Sequence, residues 1–510
     1  MTRSASTVIE LLQGHPASAT ALSIPGGVPL TYQGLRALVS ETLAALAGRG
    51  IGRNDRVAIV LDNGPEMAAA FIAVASGATA APLNPAYRAE EFKFFLTDLK
   101  AKLLVVARDK TSPAVDVAGK LGIPIARLVP RPDRGSGSFT LEFSNGGAAR
   151  RTGQPDAAQA GDIALVLHTS GTTSRPKMVP LAQRNVCASA RNIRGTLQLT
   201  PEDRGLVVMP LFHIHGLMAA LLAPLSAGGE VCCTPGFNAL KFFSWLADVQ
   251  PTWYTAVPTM HQAILARSSG NADVIKQSRL RLVRSSSSAL PPTVIHQLEA
   301  VFGAPVIESY GMTEAAHQMT SNPLPPGVRK AGTVGTQAGP DVRVVDDHGD
   351  PVVPGAIGEI VIRGENVMGG YESNPAANAA AFIKGWFRTG DQGVMDADGY
   401  LSITGRLKEI INRGGEKISP REVDEIILEH PAVHQCVTFA VPHDLLGEDV
   451  AAAVVLKDGA QATDKELRQF AAGRLADFKV PRKILLLKEI PVGPTGKLQR
   501  IGLARALGLG

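Results

Sequence analysis

From Thr31 to Val106 the chain alternates between two kinds of apolar pattern, and no other feature constrains the fold as strongly. Tyr32–Leu46, Pro65–Ala75 and Ala89–Leu99 carry apolar residues at helical spacing. Arg56–Leu61, Thr79–Leu83 and Leu103–Val106 are short apolar runs that read as buried strands. Strands alternating with helices in this way predict an α/β fold with mainly parallel strands. At 510 residues the chain exceeds one ordinary core, so two or three domains are expected. A content of 45% hydrophobic and 19% charged residues is that of a globular protein. The net charge of +5 comes from scattered basic residues without a long Lys/Arg block, which argues against a nucleic-acid partner.

Cys187, Cys232, Cys233 and Cys436 show no metal-ligand spacing and fit a reducing compartment. Met1–Gly14 lacks the pattern of a signal peptide. Leu217–Leu225, the most apolar stretch, is too short to span a bilayer. The terminal Leu-Gly-Leu-Gly is neither a peroxisomal nor a retention signal, so a cytoplasmic location is expected.

The segment His168–Lys177 is the first to carry chemistry. Five of the six residues Thr169, Ser170, Gly171, Thr172, Thr173 and Ser174 have a hydroxyl. The run Ile163–Leu167 before it reads as a strand, and Val186, Ala190, Ile193 and Leu197 after it fall at helical spacing. A hydroxyl- and Gly-containing loop between strand and helix can wrap oxyanions with N–H and O–H groups, and Lys177 adds a point charge. The Walker pattern is absent, and a plain polar turn is the competing reading. The preceding segment Arg131–Gly161, rich in Gly, Ser, Arg and Ala, reads as a surface excursion.

Further along, His213 and His215 stand one residue apart without a third metal ligand nearby, which disfavours a metal site. His213 is either a pocket wall or a core residue. The strand Leu280–Arg284 runs into four serines, Ser285–Ser288, whose small size lets a ligand approach the backbone. The strand Val306–Ile307 leads to Glu308–Glu314, a plausible site edge because ligands sit at the carboxyl ends of such strands. Here Tyr310 can stack on a base, Thr313 can bind phosphate, and Glu314 can hold a hard cation or be a plain surface carboxylate.

From Val342 short strands with turn signals suggest a β-rich subdomain. Within it Asp391 is either a turn residue or an acceptor for a ribose diol. Gly405–Lys417, with Gly414 and Gly415 adjacent, looks like a joint. A compact α+β unit follows from Ser419 to Leu507 and ends with Lys497 on a Gly/Pro loop, by itself an ordinary solvated charge.

Five of these segments, Thr169–Lys177, Tyr310–Glu314, Trp386–Asp391, Gly405–Lys417 and Pro494–Lys497, occur in the order of the adenylate-forming superfamily. That superfamily contains acyl-CoA synthetases, luciferase-like enzymes and peptide-synthetase adenylation domains, and the chain resembles it over essentially its whole length. Ser174 and Met178 stand where the family usually has Gly, and Ser285–Ser288 replace a Gly-rich strand end. The resemblance implies an N-terminal domain of α/β layers plus a β-rich subdomain, residues 1–406. A small mobile α+β C-terminal domain, residues 407–510, would rotate about Lys408. It implies ATP, Mg²⁺ and coenzyme A as cofactors, and acid–CoA ligation through an acyl-AMP.

Residue by residue, the resemblance implies that Lys497, Thr313 and Glu314 are catalytic, Glu314 holding the metal. Thr169, Ser170, Gly171, Thr172, Thr173, Lys177, Ser288, Tyr310, Gly311, Asp391 and Arg406 would bind ATP. Gly414, Gly415 and Lys417 would line the CoA path. Lys497 would also be a lysine whose acetylation silences adenylation.

Within the superfamily, His168–Lys177, Trp253–Pro258, Ser321–Pro325 and Asn412–Pro420 resemble the oxalyl-CoA synthetases (oxalate–CoA ligases). On that resemblance His213, Ser287 and His317 would contact a small dicarboxylate. Ser309 stands where malonate ligases often carry Arg. The alternatives are a short- or medium-chain or malonyl-CoA synthetase, a luciferase-like enzyme and a non-catalytic nucleotide-binding relative.

Overall fold

The computed structural model describes residues 5–143, 157–169, 176–491 and 499–509. They form two compact units. The first takes the residues within Met1–Thr169, Met178–Val342 and Arg363–Ala380, and the second those within Ser170–Lys177, Arg343–Ile362 and Ala381–Gly510.

The first unit is built on two sheets. A seven-stranded sheet runs in the order Phe139–Phe143, Ile125–Pro130, Leu103–Ala107, Arg56–Val60, Thr79–Pro82, Ile163–Thr169, Lys177–Ala182. Its central pairs are parallel, as the alternation of strands and helices predicts. The helix Pro65–Ala75 is buried at every residue except Glu66, because it is apolar on all sides. The nine-stranded sheet places Trp253–Ala256, Leu282–Ser285 and Val306–Met312 side by side and parallel. The strand His317–Ser321 then returns antiparallel to Val306–Met312.

Two expectations are corrected here. The first described element past Thr169 is a strand, Lys177–Ala182, and only then comes the helix Gln183–Thr196. Met178, Val179 and Leu181 are buried there, and Pro180 is tolerated because this strand ends the sheet. The helix N-terminus therefore does not follow the hydroxyl loop directly. Nor is the segment after Arg131 only a surface excursion. Phe139–Phe143 pairs antiparallel with Ile125–Pro130, and Ser136 and Ser138 are buried. Gly137 has φ +85°, and a Cβ there would lie 2.6 Å from the Pro65 carbonyl oxygen, so the chain is pressed against the helix start.

The second unit holds most of one five-stranded sheet, which includes Ile357–Arg363, Trp386–Met395 and Leu401–Arg406. Its other five-stranded sheet is formed by Ile411–Arg413, Glu416–Ile418, Val433–His443, Gly447–Leu456 and Lys483–Leu486. The helices Pro420–Leu428 and Asp464–Ala472 pack on this second sheet through Val423, Ile427, Leu467 and Ala471. The 406/407 division read from the sequence falls between the two sheets of this unit.

Candidate active site

The strand Val306–Met312 carries Tyr310 and Gly311 to its carboxyl end. Tyr310 pairs with Thr320, and Gly311 with Gln318. A Cβ on Gly311 would lie 1.9 Å from the His317 carbonyl oxygen, so only glycine fits where the two strands meet. The chain then makes a 3-10 turn, Thr313–Ala315, not a helix, and His317 begins a strand. Ala316 (φ +47°) and His317 (φ +99°) are both left-handed, a strain that persists only where the surroundings hold it.

Glu314 is buried, and its Oε1 accepts a 2.8 Å hydrogen bond from the Tyr371 hydroxyl. Its backbone oxygen accepts from the Met368 N–H at 2.8 Å. Mg²⁺ is commonly held by one or two carboxylates together with substrate phosphates and water, so a single fixed carboxylate fits it. Among the described residues no cluster of three His, Cys, Asp or Glu could hold a metal ion.

Next to this edge lies a buried polar cluster. Arg284 sits in the middle of the sheet and is wholly buried. Its Nη1 donates toward His317 Nε2 (3.2 Å) and Thr255 Oγ1 (3.3 Å) and lies 3.4 Å from His215 Nε2, and its Nη2 donates toward Gln318 Oε1 (3.1 Å). The Nε has no hydrogen-bond partner among the described residues. Burial pushes its pKa down to about 9. His215 and His317 stack at 4.8 Å and 20°. His215 Nε2 lies 2.6 Å from Thr255 Oγ1, and its Nδ1 lies 3.0 Å from Ser287 Oγ. Ser287 is exposed and left-handed at φ +75°, Ser288 beside it is exposed, and Ser285 and Ser286 are buried.

The histidine that joins this cluster is His215, not the His213 singled out in the sequence. His213 is half-buried against Phe212, ring to ring at 4.6 Å. His215 opens a π-helical segment, His215–Leu222. Gly216 follows it, where a Cβ would lie 2.2 Å from the Pro210 carbonyl oxygen, and this tight turn points the second histidine inward.

In the second unit Asp391 lies on a strand, not in a turn, directly opposite Arg406. Arg406 Nε donates to Asp391 Oδ1 at 2.8 Å, and the carboxylate is buried while the guanidinium is exposed. Lys408 is exposed inside the turn closed by Glu409 N–H to Arg406 O. Gly414 (φ +61°) and Gly415 (φ +101°) are the two-residue turn of the hairpin in which Arg413 pairs with Glu416, and positive φ at both positions is what such a turn requires. Lys417 is exposed on that hairpin. Thr169 and Lys177 end and begin strands. Ser170, Gly171, Thr172, Thr173 and Lys497 lie outside the described residues.

The first unit thus joins a carboxylate fit for Mg²⁺ to a polar cluster at strand ends, a combination suited to nucleotide-dependent chemistry on a small anion. The chain belongs to the AMP-binding enzyme family: residues 10–372 match the AMP-binding enzyme model and residues 422–497 its C-terminal domain. It is 44% identical over 487 residues to an oxalate–CoA ligase of Arabidopsis thaliana, covering 94% of each chain. An oxalate–CoA ligase of Saccharomyces cerevisiae is also 44% identical, over 88% of this chain and 86% of its own. The ATP-bound crystal structure of MatB from Rhodopseudomonas palustris matches with a TM-score of 0.88 at 29% identity, over 98% of both chains. Among the described residues no helix is long and apolar enough to cross a membrane.

Proposed function

We propose that the protein is an AMP-forming acid–CoA ligase that converts oxalate to oxalyl-CoA. The observation that carries this reading is the 44% identity to two oxalate–CoA ligases along most of the chain. The chemistry of the buried cluster supports it. Oxalate keeps a second carboxylate one bond from the reacting one, and an apolar pocket would leave that charge desolvated and unpaired. Ser287, His215 and His317 offer polar groups at that place, where a fatty-acid ligase would need an apolar channel.

In the first half-reaction a carboxylate oxygen attacks the α-phosphorus of ATP and the bond to pyrophosphate breaks. Both reactants are anionic, so opposing charge must be fixed around them. Glu314, oriented by Tyr371, would hold Mg²⁺, which when bound neutralises phosphate charge. Thr313 and the hydroxyls of Thr169–Thr173, with Lys177, would hold the phosphates. Tyr310 would stack on adenine beside Gly311 and Ser288, and Asp391 with Arg406 would hold the ribose. Lys497 would bridge the carboxylate and the α-phosphate.

In the second half-reaction the CoA thiolate attacks the acyl carbon and AMP leaves. For this step residues 407–510 would rotate about Lys408, and Gly414, Gly415 and Lys417 would line the pantetheine path. His213 stays in this reading as an outer wall of the acyl pocket, and His215 takes the inner place. The reading places the enzyme in the cytoplasm.

The test is kcat/KM for thioester formation with acetate, propionate, malonate, succinate, hexanoate and oxalate. Oxalate is expected to lead the panel. If hexanoate or malonate leads instead, the substrate assignment is wrong and the ligase chemistry stands.

A further inference from the structure

A wholly buried guanidinium is costly to keep unless an anion answers it. Arg284 is such a group: among the described residues no carboxylate lies within 4.0 Å of it, and every partner it has is neutral or a histidine nitrogen. Burial lowers its pKa only to about 9, so the charge is present at neutral pH.

The hydrogen bonds around it have a fixed direction, because a guanidinium donates and cannot accept. Arg284 Nη1 has two N–H groups, and its two nearer acceptors, His317 Nε2 (3.2 Å) and Thr255 Oγ1 (3.3 Å), take them. His317 Nε2 is therefore a lone-pair nitrogen. His215 Nε2, 3.4 Å from the same Nη1, cannot present an N–H to the guanidinium and keeps its single lone pair for the Thr255 hydroxyl. Both rings are then neutral and carry their proton on Nδ1, since an imidazolium would turn an N–H against the guanidinium. Thr255 Oγ1 accepts from Arg284 and gives its own proton to His215 Nε2 across 2.6 Å. His215 Nδ1–H donates to Ser287 Oγ across 3.0 Å. Having accepted there, Ser287 directs its own proton elsewhere, and it is the exposed member of the chain. The left-handed backbone at Ser287 and His317 fits a site held against local preference.

We propose, resting on the dicarboxylate reading above, that Arg284 is the positioning and specificity residue for the substrate's second carboxylate. Through Thr255 and His215 it aims the Ser287 hydroxyl proton at that carboxylate. Its unanswered charge favours the dianion over a monocarboxylate. Arg284 itself need not touch the substrate. The sheet fixes its backbone, and the relay carries its polarity to the accessible hydroxyl.

The experiment compares wild type with Arg284→Gln and Thr255→Val, measuring KM and kcat separately for oxalate and acetate and KM for ATP. Arg284→Gln is expected to raise the oxalate KM about 10- to 100-fold, the scale of one hydrogen bond to a charged group. Thr255→Val should raise it about tenfold. KM for acetate and for ATP should move little in either variant, and Arg284→Lys should recover part of the preference for oxalate over acetate. Oxalate and acetate KM values that rise together, or an unchanged oxalate KM, would overturn the proposal.

A second measurement needs no folded variant of Arg284. Nitrogen-15 NMR of histidine-labelled wild type at pH 7 should find Nδ1–H neutral rings for His215 and His317. An Nε2–H or an imidazolium at either would also overturn the proposal. Wild type that ignores oxalate would instead defeat the substrate reading, and the tautomers would still decide whether the relay exists.

Discussion

The two compact units hold their functional side chains in opposite ways. In the first, Arg284, His215, His317 and Glu314 are buried, the first three hydrogen-bonded among the strands of one sheet and Glu314 to Tyr371. In the second, Arg406 at a strand end and Lys408, Gly414, Gly415 and Lys417 on turns and a hairpin are exposed, and among the described site residues of this unit Asp391 alone is buried. Buried groups with several fixed partners keep one geometry, which suits telling one small rigid anion from another. Exposed groups on turns can change their surroundings without breaking a core, which suits service in two successive steps.

Lys497→Ala gives the largest expected effect. Removing a charge that acts in the transition state costs about 3–4 kcal/mol, so acyl-AMP formation should fall by roughly two to three orders of magnitude. Thioester formation from supplied acyl-AMP should be nearly spared, and acetylated Lys497 should behave alike because acetylation removes the charge. Equal loss in both half-reactions would mean that this group does not serve one step alone.

Lys408→Pro comes next. Lys408 N–H donates to no group among the described residues, so proline removes no bond there and acts by fixing φ near about −65°. One half-reaction should slow by about tenfold or more while the other is kept. Rapid-quench rates of the two steps check this, and unchanged rates in both would put the hinge elsewhere.

A third effect, on stability and not on rate, concerns burial in the first unit. His261 is fully buried, and desolvation pushes its pKa down to about 4 from 6.5. The unfolded chain then binds more protons than the folded one between these values. The stability held above pH 6.5 is therefore lost as pH falls toward 4. At pH 5 the loss from this residue is about 2 kcal/mol. Urea midpoints at pH 7.5 and 5 should differ less in His261→Gln than in wild type, and an equal difference in both proteins would contradict it.

Much of the first unit was legible because its strands are buried on both faces and its helices have long apolar stripes. The strand Lys177–Ala182 was not, because Pro180 and a short apolar run are equally at home in a loop. His213 and His215 alternate, and only the tight turn at Gly216 decides which faces inward. Tyr371 carries no sequence signal, since a lone tyrosine far along the chain is silent about Glu314. Arg284 did leave one: a charged residue between Leu282, Val283 and the serines, inside a run that must be buried. The Asp391–Arg406 pair lies on adjacent strands of a sheet whose turns gave signals but whose register did not.

The central claim is that a carboxylate is activated on the enzyme before CoA enters. Exchange of labelled pyrophosphate into ATP, without CoA, measures that step alone. The account predicts exchange that requires oxalate and Mg²⁺ and is lost in Glu314→Gln, with oxalyl-CoA appearing only when CoA is then added. Exchange that proceeds without any carboxylate, or that requires CoA, would contradict it.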